Sequence, residues 1–116
     1  MSLLQEEAQV DGPAAVVRLS GDLDLATGPT AAAKMRSALV RRTDVVVDLR
    51  GLSFMDVAGL RVVLDAAAHA RRLGRRLMVV RGGVQVDMVF TLTGAGSTID
   101  FVSPDRADGL RAIAQR

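Results

Sequence analysis

The 116-residue chain has no cysteine, no tryptophan and no tyrosine, and a single histidine, His69. Without cysteine there is no disulfide, no thiolate zinc site, no iron–sulfur cluster and no cysteine nucleophile. One histidine argues against a histidine-built metal centre, and three phenylalanines, the whole aromatic complement, offer almost nothing on which to stack bases. Charge of one sign is also scarce: 14 Arg and one Lys stand against 13 carboxylates, for a net +2, so nucleic-acid binding is not implied. Apolar runs such as Val45-Val46-Val47 fall far below the ~18 residues of a membrane span. The opening Met1-Ser2-Leu3-Leu4-Gln5-Glu6-Glu7 lacks a signal-peptide pattern. The expectation is a cytoplasmic protein with no membrane, nucleic acid, metal or cofactor as partner.

What is present suits one domain over residues 1–116: 49% apolar and 24% charged residues, 11 Gly and 3 Pro. A chain of this length buries about 60–70% of its unfolded surface, enough for a core without staples. Runs at Leu3 to Val10 and Ala15 to Ser20, separated by Asp11-Gly12-Pro13, read as a hairpin. Thr27 or Gly28 before Pro29 starts a helix, with Ala31, Met35, Ala38 and Leu39 on its buried face. Val45 to Leu49 is a strand buried on both faces, the central one of a parallel sheet. A loop over Arg50 to Met55 leads to a second helix, capped near Asp56 and running from Val57 to about Leu73 before Gly74. On a helical wheel Leu60, Val63, Leu64 and Ala67 point inward, and Ala58, Arg61, Val62, Asp65, His69 and Arg72 outward. Leu77 to Val80 is a strand and Val84 to Thr93 a helix with Val86, Val89 and Phe90 inward. Ile99 to Val102 is the last strand, and Ser103-Pro104-Asp105 opens a terminal helix with Ala107 on its apolar face. The order β-β-α-β-α-β-α-β-α predicts an α/β fold: a mixed, mainly parallel sheet of about five strands with four helices.

Few residues carry a chemical signal of their own. Gly51, Gly82-Gly83 and Gly94-Ala95-Gly96 match no phosphate-binding fingerprint and read as turns and caps. Asp22 and Asp24 are candidates for a carboxylate pair on Mg²⁺, but two-residue spacing in an extended strand sends them to opposite faces. His69, one turn after Asp65, reads as an exposed i,i+4 pair, and no serine shares its face for a hydrolytic triad. Arg71, Arg72, Arg75 and Arg76 match the negative dipole end of the second helix. The start of that helix, with Ala58 and Val62 among Arg61, Asp65 and His69, combines free backbone donors with a small apolar patch. That surface suits an anion or a partner protein, and periodicity does not choose between them.

The run Val-Val-Val-Asp-Leu-Arg-Gly-Leu-Ser-Phe-Met-Asp-Val-Ala-Gly-Leu-Arg-Val-Val-Leu, from Val45 to Leu64, resembles the core of STAS domains, in particular bacterial anti-sigma factor antagonists. Gly21-Asp22-Leu23-Asp24 is similar to the family's Gly-Glu-Leu-Asp segment, with Asp22 for its Glu, and Met88 to Gly94 is similar to its third-helix ending. The resemblance implies a STAS-like fold and a non-enzymatic binding module. Such a module docks on an anti-sigma factor, usually a serine kinase of the histidine-kinase-like ATPase type, and frees a sigma factor. It also implies a phosphorylation switch on a hydroxyl in an Asp-Ser-Ser-Gly motif. This chain has Asp56-Val57-Ala58-Gly59, so the acceptor position is Ala58 and cannot take phosphate. Ser53, the nearest hydroxyl, reads as a turn residue.

The expected partner surface is therefore Asp56, Val57, Ala58 and Gly59, the outer face Arg61, Val62, Asp65 and His69, and the segment with Asp22 and Asp24. An alternative is a STAS scaffold or regulatory subunit of a stress-signalling assembly or lipid-transport ATPase, and a homodimer stays open. A nucleotide hydrolase built on Asp22 and Asp24 ranks last.

Overall fold

The computed structural model describes residues 4–11 and 14–108. Strand β1 (Leu4–Asp11) runs antiparallel to β2 (Ala14–Leu23), with Leu4 opposite Gly21 and Asp11 opposite Ala14. Gly12 and Pro13 of the predicted turn lie outside the described residues. Helix α1 (Gly28–Arg41) leads to β3 (Asp44–Met55), α2 (Val57–Arg72) to β4 (Arg76–Val80), and α3 (Val84–Thr93), through a short 3-10 turn at Ala95–Thr98, to β5 (Asp100–Phe101). The sheet order is β1-β2-β3-β4-β5, and β2 to β5 are mutually parallel. The predicted mixed sheet with an antiparallel hairpin strand at its edge is thus the observed one, and residues 104–108 begin the fourth helix.

The sheet is buried on both faces, as a parallel sheet must be. Val17, Val45, Val47, Leu49 and Val79 meet the helices through Met35, Leu39, Leu60, Val63 and Phe90. The opposite face, Val16, Val46, Met78 and Val80, packs with Ala107. This second face also holds Asp48, the one charged residue buried among those described. Arg50 Nη2 donates to Asp48 Oδ2 at 2.8 Å and to Asp108 Oδ1 at 2.7 Å, while Arg18 Nη2 donates to the carbonyl of Ala107 at 3.0 Å. The hydrogen bond to Asp48, then that to Asp108, pushes the Arg50 guanidinium further above its ordinary pKa.

Three expectations need correction. The predicted loop over Arg50 to Met55 is strand: β3 continues beside β2 as far as the Leu23–Met55 pair, with register shifts between Arg18 and Ser20 and between Gly21 and Asp22. The irregularity hides the strand, because Arg-Gly-Leu-Ser carries the composition of a turn and the shift breaks the alternation. A Cβ on Gly51 would lie 2.8 Å from the carbonyl oxygen of Leu19, so the residue that reads as a turn former is there for close strand approach. Ser53 accordingly sits in the strand. The last strand is shorter than expected, two residues preceded by the 3-10 turn. Ala58 and His69, placed on the outer face of the second helix by the wheel, are half-buried, whereas Leu64 and Ala38 pack against the core as expected. Gly94 does close α3, with φ +71 in the left-handed region.

Candidate functional site

The carboxyl ends of β2 and β3 and the amino ends of α1 and α2 meet at one end of the molecule. At the start of α2, Asp56 has an extended backbone and its Oδ1 accepts from the Gly59 N–H at 2.9 Å, satisfying one of the helix's free donors. The turn lies tight against β2: the Asp56 N–H points at the carbonyl of Leu23, N to O 3.4 Å. A Cβ on Gly59 would stand 2.2 Å from that same oxygen. From behind, the Gln85 side chain of α3 grips the end of β3, accepting from the Met55 N–H at 3.0 Å and donating to the Met55 carbonyl at 2.9 Å.

The β2–α1 segment is closed by its own residues. Thr27 Oγ1 donates to the Asp22 carbonyl at 2.8 Å and accepts from the Asp24 N–H at 3.0 Å, and Asp24 Oδ1 accepts from the Thr27 N–H at 3.0 Å. Asp24 therefore shapes the turn that presents Leu25, and one face of its carboxylate is engaged there.

Between these two starts lies a groove of about 550 Å³, lined by Asp24, Leu25, Gly28, Pro29 and Ala32 on one side and Val57, Ala58, Arg61, Val62 and Asp65 on the other. Its rim is apolar and exposed: Leu25 is 81% and Val57 61% accessible. Of the predicted site residues the groove brings together Asp24, Val57, Ala58, Arg61, Val62 and Asp65. Asp56 and Gly59 build the helix start instead, Asp22 pairs with Phe54 in the sheet, and His69 lies further down α2. Val62 is not the outward residue the wheel predicts. It is half-buried against α1, where a Cβ on Gly28 would be 3.0 Å from its Cγ2. A wheel drawn for one buried face misses a helix that also has a neighbour at its side. His69 and Asp65 do not form the expected pair either; among the described residues no ion pair links them.

Neither Leu25 nor Pro29 stands out in the sequence as a site residue. The available signal was an apolar side chain inside a polar turn, with no strand or helix period to bury it. The arginine cluster is tied locally at the far end of α2: Arg76 pairs with Asp100 at 3.1 Å and Arg71 reaches the Thr98 carbonyl at 3.4 Å. Among the described residues no group of His, Asp and Glu is gathered as metal ligands, and no helix is long and apolar enough to cross a membrane.

Known proteins share the fold that frames this groove. The family model of the STAS domain matches residues 5–108. The chain is 29% identical over 101 residues to the anti-sigma F factor antagonist of Lysinibacillus sphaericus, covering 84% of this chain and 86% of that protein. Its structure resembles that of the anti-sigma factor antagonist SpoIIAA in its unphosphorylated form, at TM-score 0.70 and 26% identity over 92% of this chain and 97% of SpoIIAA. An anti-sigma factor antagonist from Mycobacterium paratuberculosis has the same fold, at TM-score 0.76 and 19% identity over 98% and 96% of the two chains. With the STAS domain model matched over nearly its whole length, this chain belongs to the STAS domain family.

Proposed function

We propose that the protein is an anti-sigma factor antagonist that docks through the Leu25–Val57 groove on a kinase-like anti-sigma factor and so releases a sigma factor. The observation that carries this reading is the rim itself: Leu25 and Val57 are exposed apolar residues held out by turns that the fold fixes on both sides. Burying such side chains contributes about 1.5–3 kcal/mol each when fully covered. Asp24 and Asp65 beside them favour a partner with cations around an apolar contact.

The position where relatives of the antagonist type would carry a phosphorylated hydroxyl is Ala58, half-buried on the groove wall. A phosphate there would bring about −1.5 to −2 charges into a surface that must be desolvated on docking. With a methyl group instead, the docked state has no such off-switch, and control of binding rests with the partner. Affinity capture with the wild-type protein and Ala58→Glu, in ADP and in ATP, tests this. Retention of a kinase-like anti-sigma factor by the wild type only, in both nucleotides, supports the reading. Equal affinity of the two proteins for that partner by titration calorimetry refutes the docking site.

A further inference from the structure

The α1/α2 groove does not end at Asp65. Ala32, Val62 and Asp65 also line a second hollow of about 290 Å³ that continues between the same two helices to Arg36, His69 and Arg72. α1 and α2 run in the same direction, each following a strand of one parallel sheet, so both carboxyl-terminal dipole ends fall at this lower end. Each helix turns one arginine into this hollow, Arg36 from α1 and Arg72 from α2. The continuous groove is thus mostly apolar at the top, with Asp24, Arg61 and Asp65 on its walls, and at the bottom sets Arg36 and Arg72 against the one carboxylate of Asp65, while Ala32, Ala66 and Ala68 leave room along the way. The 16 residues of α2 give it a length of about 24 Å, four turns of an incoming helix.

We infer that the groove takes an amphipathic helix of the partner protein, apolar where it meets Leu25, Val57 and Val62 and acidic where it meets Arg36 and Arg72. This rests on the docking reading above and adds the partner's chemistry to it. The upper half supplies burial, with Asp24 and Asp65 at its edge favouring a cation beside the apolar contact. The lower half supplies selection, because Arg36 and Arg72 accept carboxylates, and a basic segment meets like charge. The two sets of contacts are about two to three helical turns apart, so a segment too short to span them loses the second set.

The test uses the full chain, ¹⁵N-labelled, and synthetic 16-residue helical peptides carrying leucines at i, i+4 and i+8 in one half and three glutamates in the other, made in both orders. Controls replace Glu by Gln or by Lys. One order of the Glu peptide is expected to bind about fivefold more tightly than its Gln form at low salt, as two exposed ion pairs provide. The advantage disappears in 0.5 M salt, where the Debye length is only about 4 Å. Resonances of both Ala58 and His69 shift on binding. In the double variant Arg36→Glu with Arg72→Glu the preference reverses toward the Lys peptide.

Ala58→Glu separates the two claims. If it weakens every peptide and the Glu and Gln forms bind alike to the wild type, the acidic-helix inference falls and the docking site stands. If Ala58→Glu leaves all affinities unchanged, the docking site falls and the inference with it. No binding by any peptide, or a concentration-dependent dimer that excludes them, overturns the inference, the latter assigning the groove to a second copy of the chain.

Discussion

Replacing Gly59 by alanine should loosen the start of α2. The added methyl would lie 2.2 Å from the Leu23 carbonyl oxygen and 2.9 Å from Met55 Cγ, against a closest approach of 3.0 Å for real Cβ atoms. The Met55 side chain can turn away, but the carbonyl is backbone at the last pair of the β2–β3 ladder, so the helix start must move by most of an ångström. Overpacking of this kind costs about 1–3 kcal/mol. The shift also stretches the Asp56 N–H contact with Leu23, already at 3.4 Å, which adds at most about 1 kcal/mol. Against these, alanine gains about 1 kcal/mol of helix propensity over glycine. The sum is a loss of about 2 kcal/mol, or roughly 8 °C in Tm at about 4 °C per kcal/mol for a domain near this size. Thermal unfolding followed by circular dichroism measures it, with Ala58→Gly one residue earlier reading the propensity term with no new contact. A Gly59→Ala protein that melts at or above the wild-type temperature would refute the steric argument.

Other substitutions probe neighbouring parts of the same frame. Asp56→Ala removes the cap on the Gly59 N–H and should cost about 1 kcal/mol in urea unfolding with an unchanged m-value. Gln85→Ala leaves both Met55 backbone groups without the amide that serves them, a loss of about 1–3 kcal/mol, and hydrogen exchange at Met55 should accelerate more than at Val47. Asp48→Ala strips Arg18 and Arg50 of a shared buried carboxylate. Because Arg50 is 38% accessible, the cost should stay at about 1–3 kcal/mol, below that of a fully buried pair, as chemical denaturation will show. Ala58→Glu, the variant proposed to weaken docking, should leave Tm unchanged within about 2 °C, since an acid in the first turn suits the helix dipole.

Periodicity and capping made most of this fold readable. Thr27-Gly28-Pro29, Asp56 and Gly94 mark helix ends chemically, and they lie where expected. The second half of β3 was hidden because a shifted register uses the same residues as a turn, and Gly51 carries no sign of which it serves. The site was legible only in part. Ala58 and Val57 follow from their place at a helix start, but the groove depends on α1 lying beside α2, a relation between elements that a wheel drawn for one helix does not contain. Leu25 belongs to the site through the Asp24–Thr27 turn, whose hydrogen bonds close over three residues without any periodic pattern. Of the arginines that stand out at the end of α2 only Arg72 lines the lower hollow, and Arg36, which faces it from α1, carries no signal in the sequence because its place depends on how the two helices lie together.

The double hydrogen bond from Gln85 to Met55 also bears on the speed of recognition. It fixes the last residue of β3 from a third helix, immediately before α2 begins, so the proposed docking surface is held in place by the fold itself. For a partner docking there, little ordering entropy is left to spend on contact, and association is expected to proceed as the meeting of rigid bodies. For such a surface, variants of the apolar rim alter how long the complex lasts, and variants of the charged residues around it alter how often it forms.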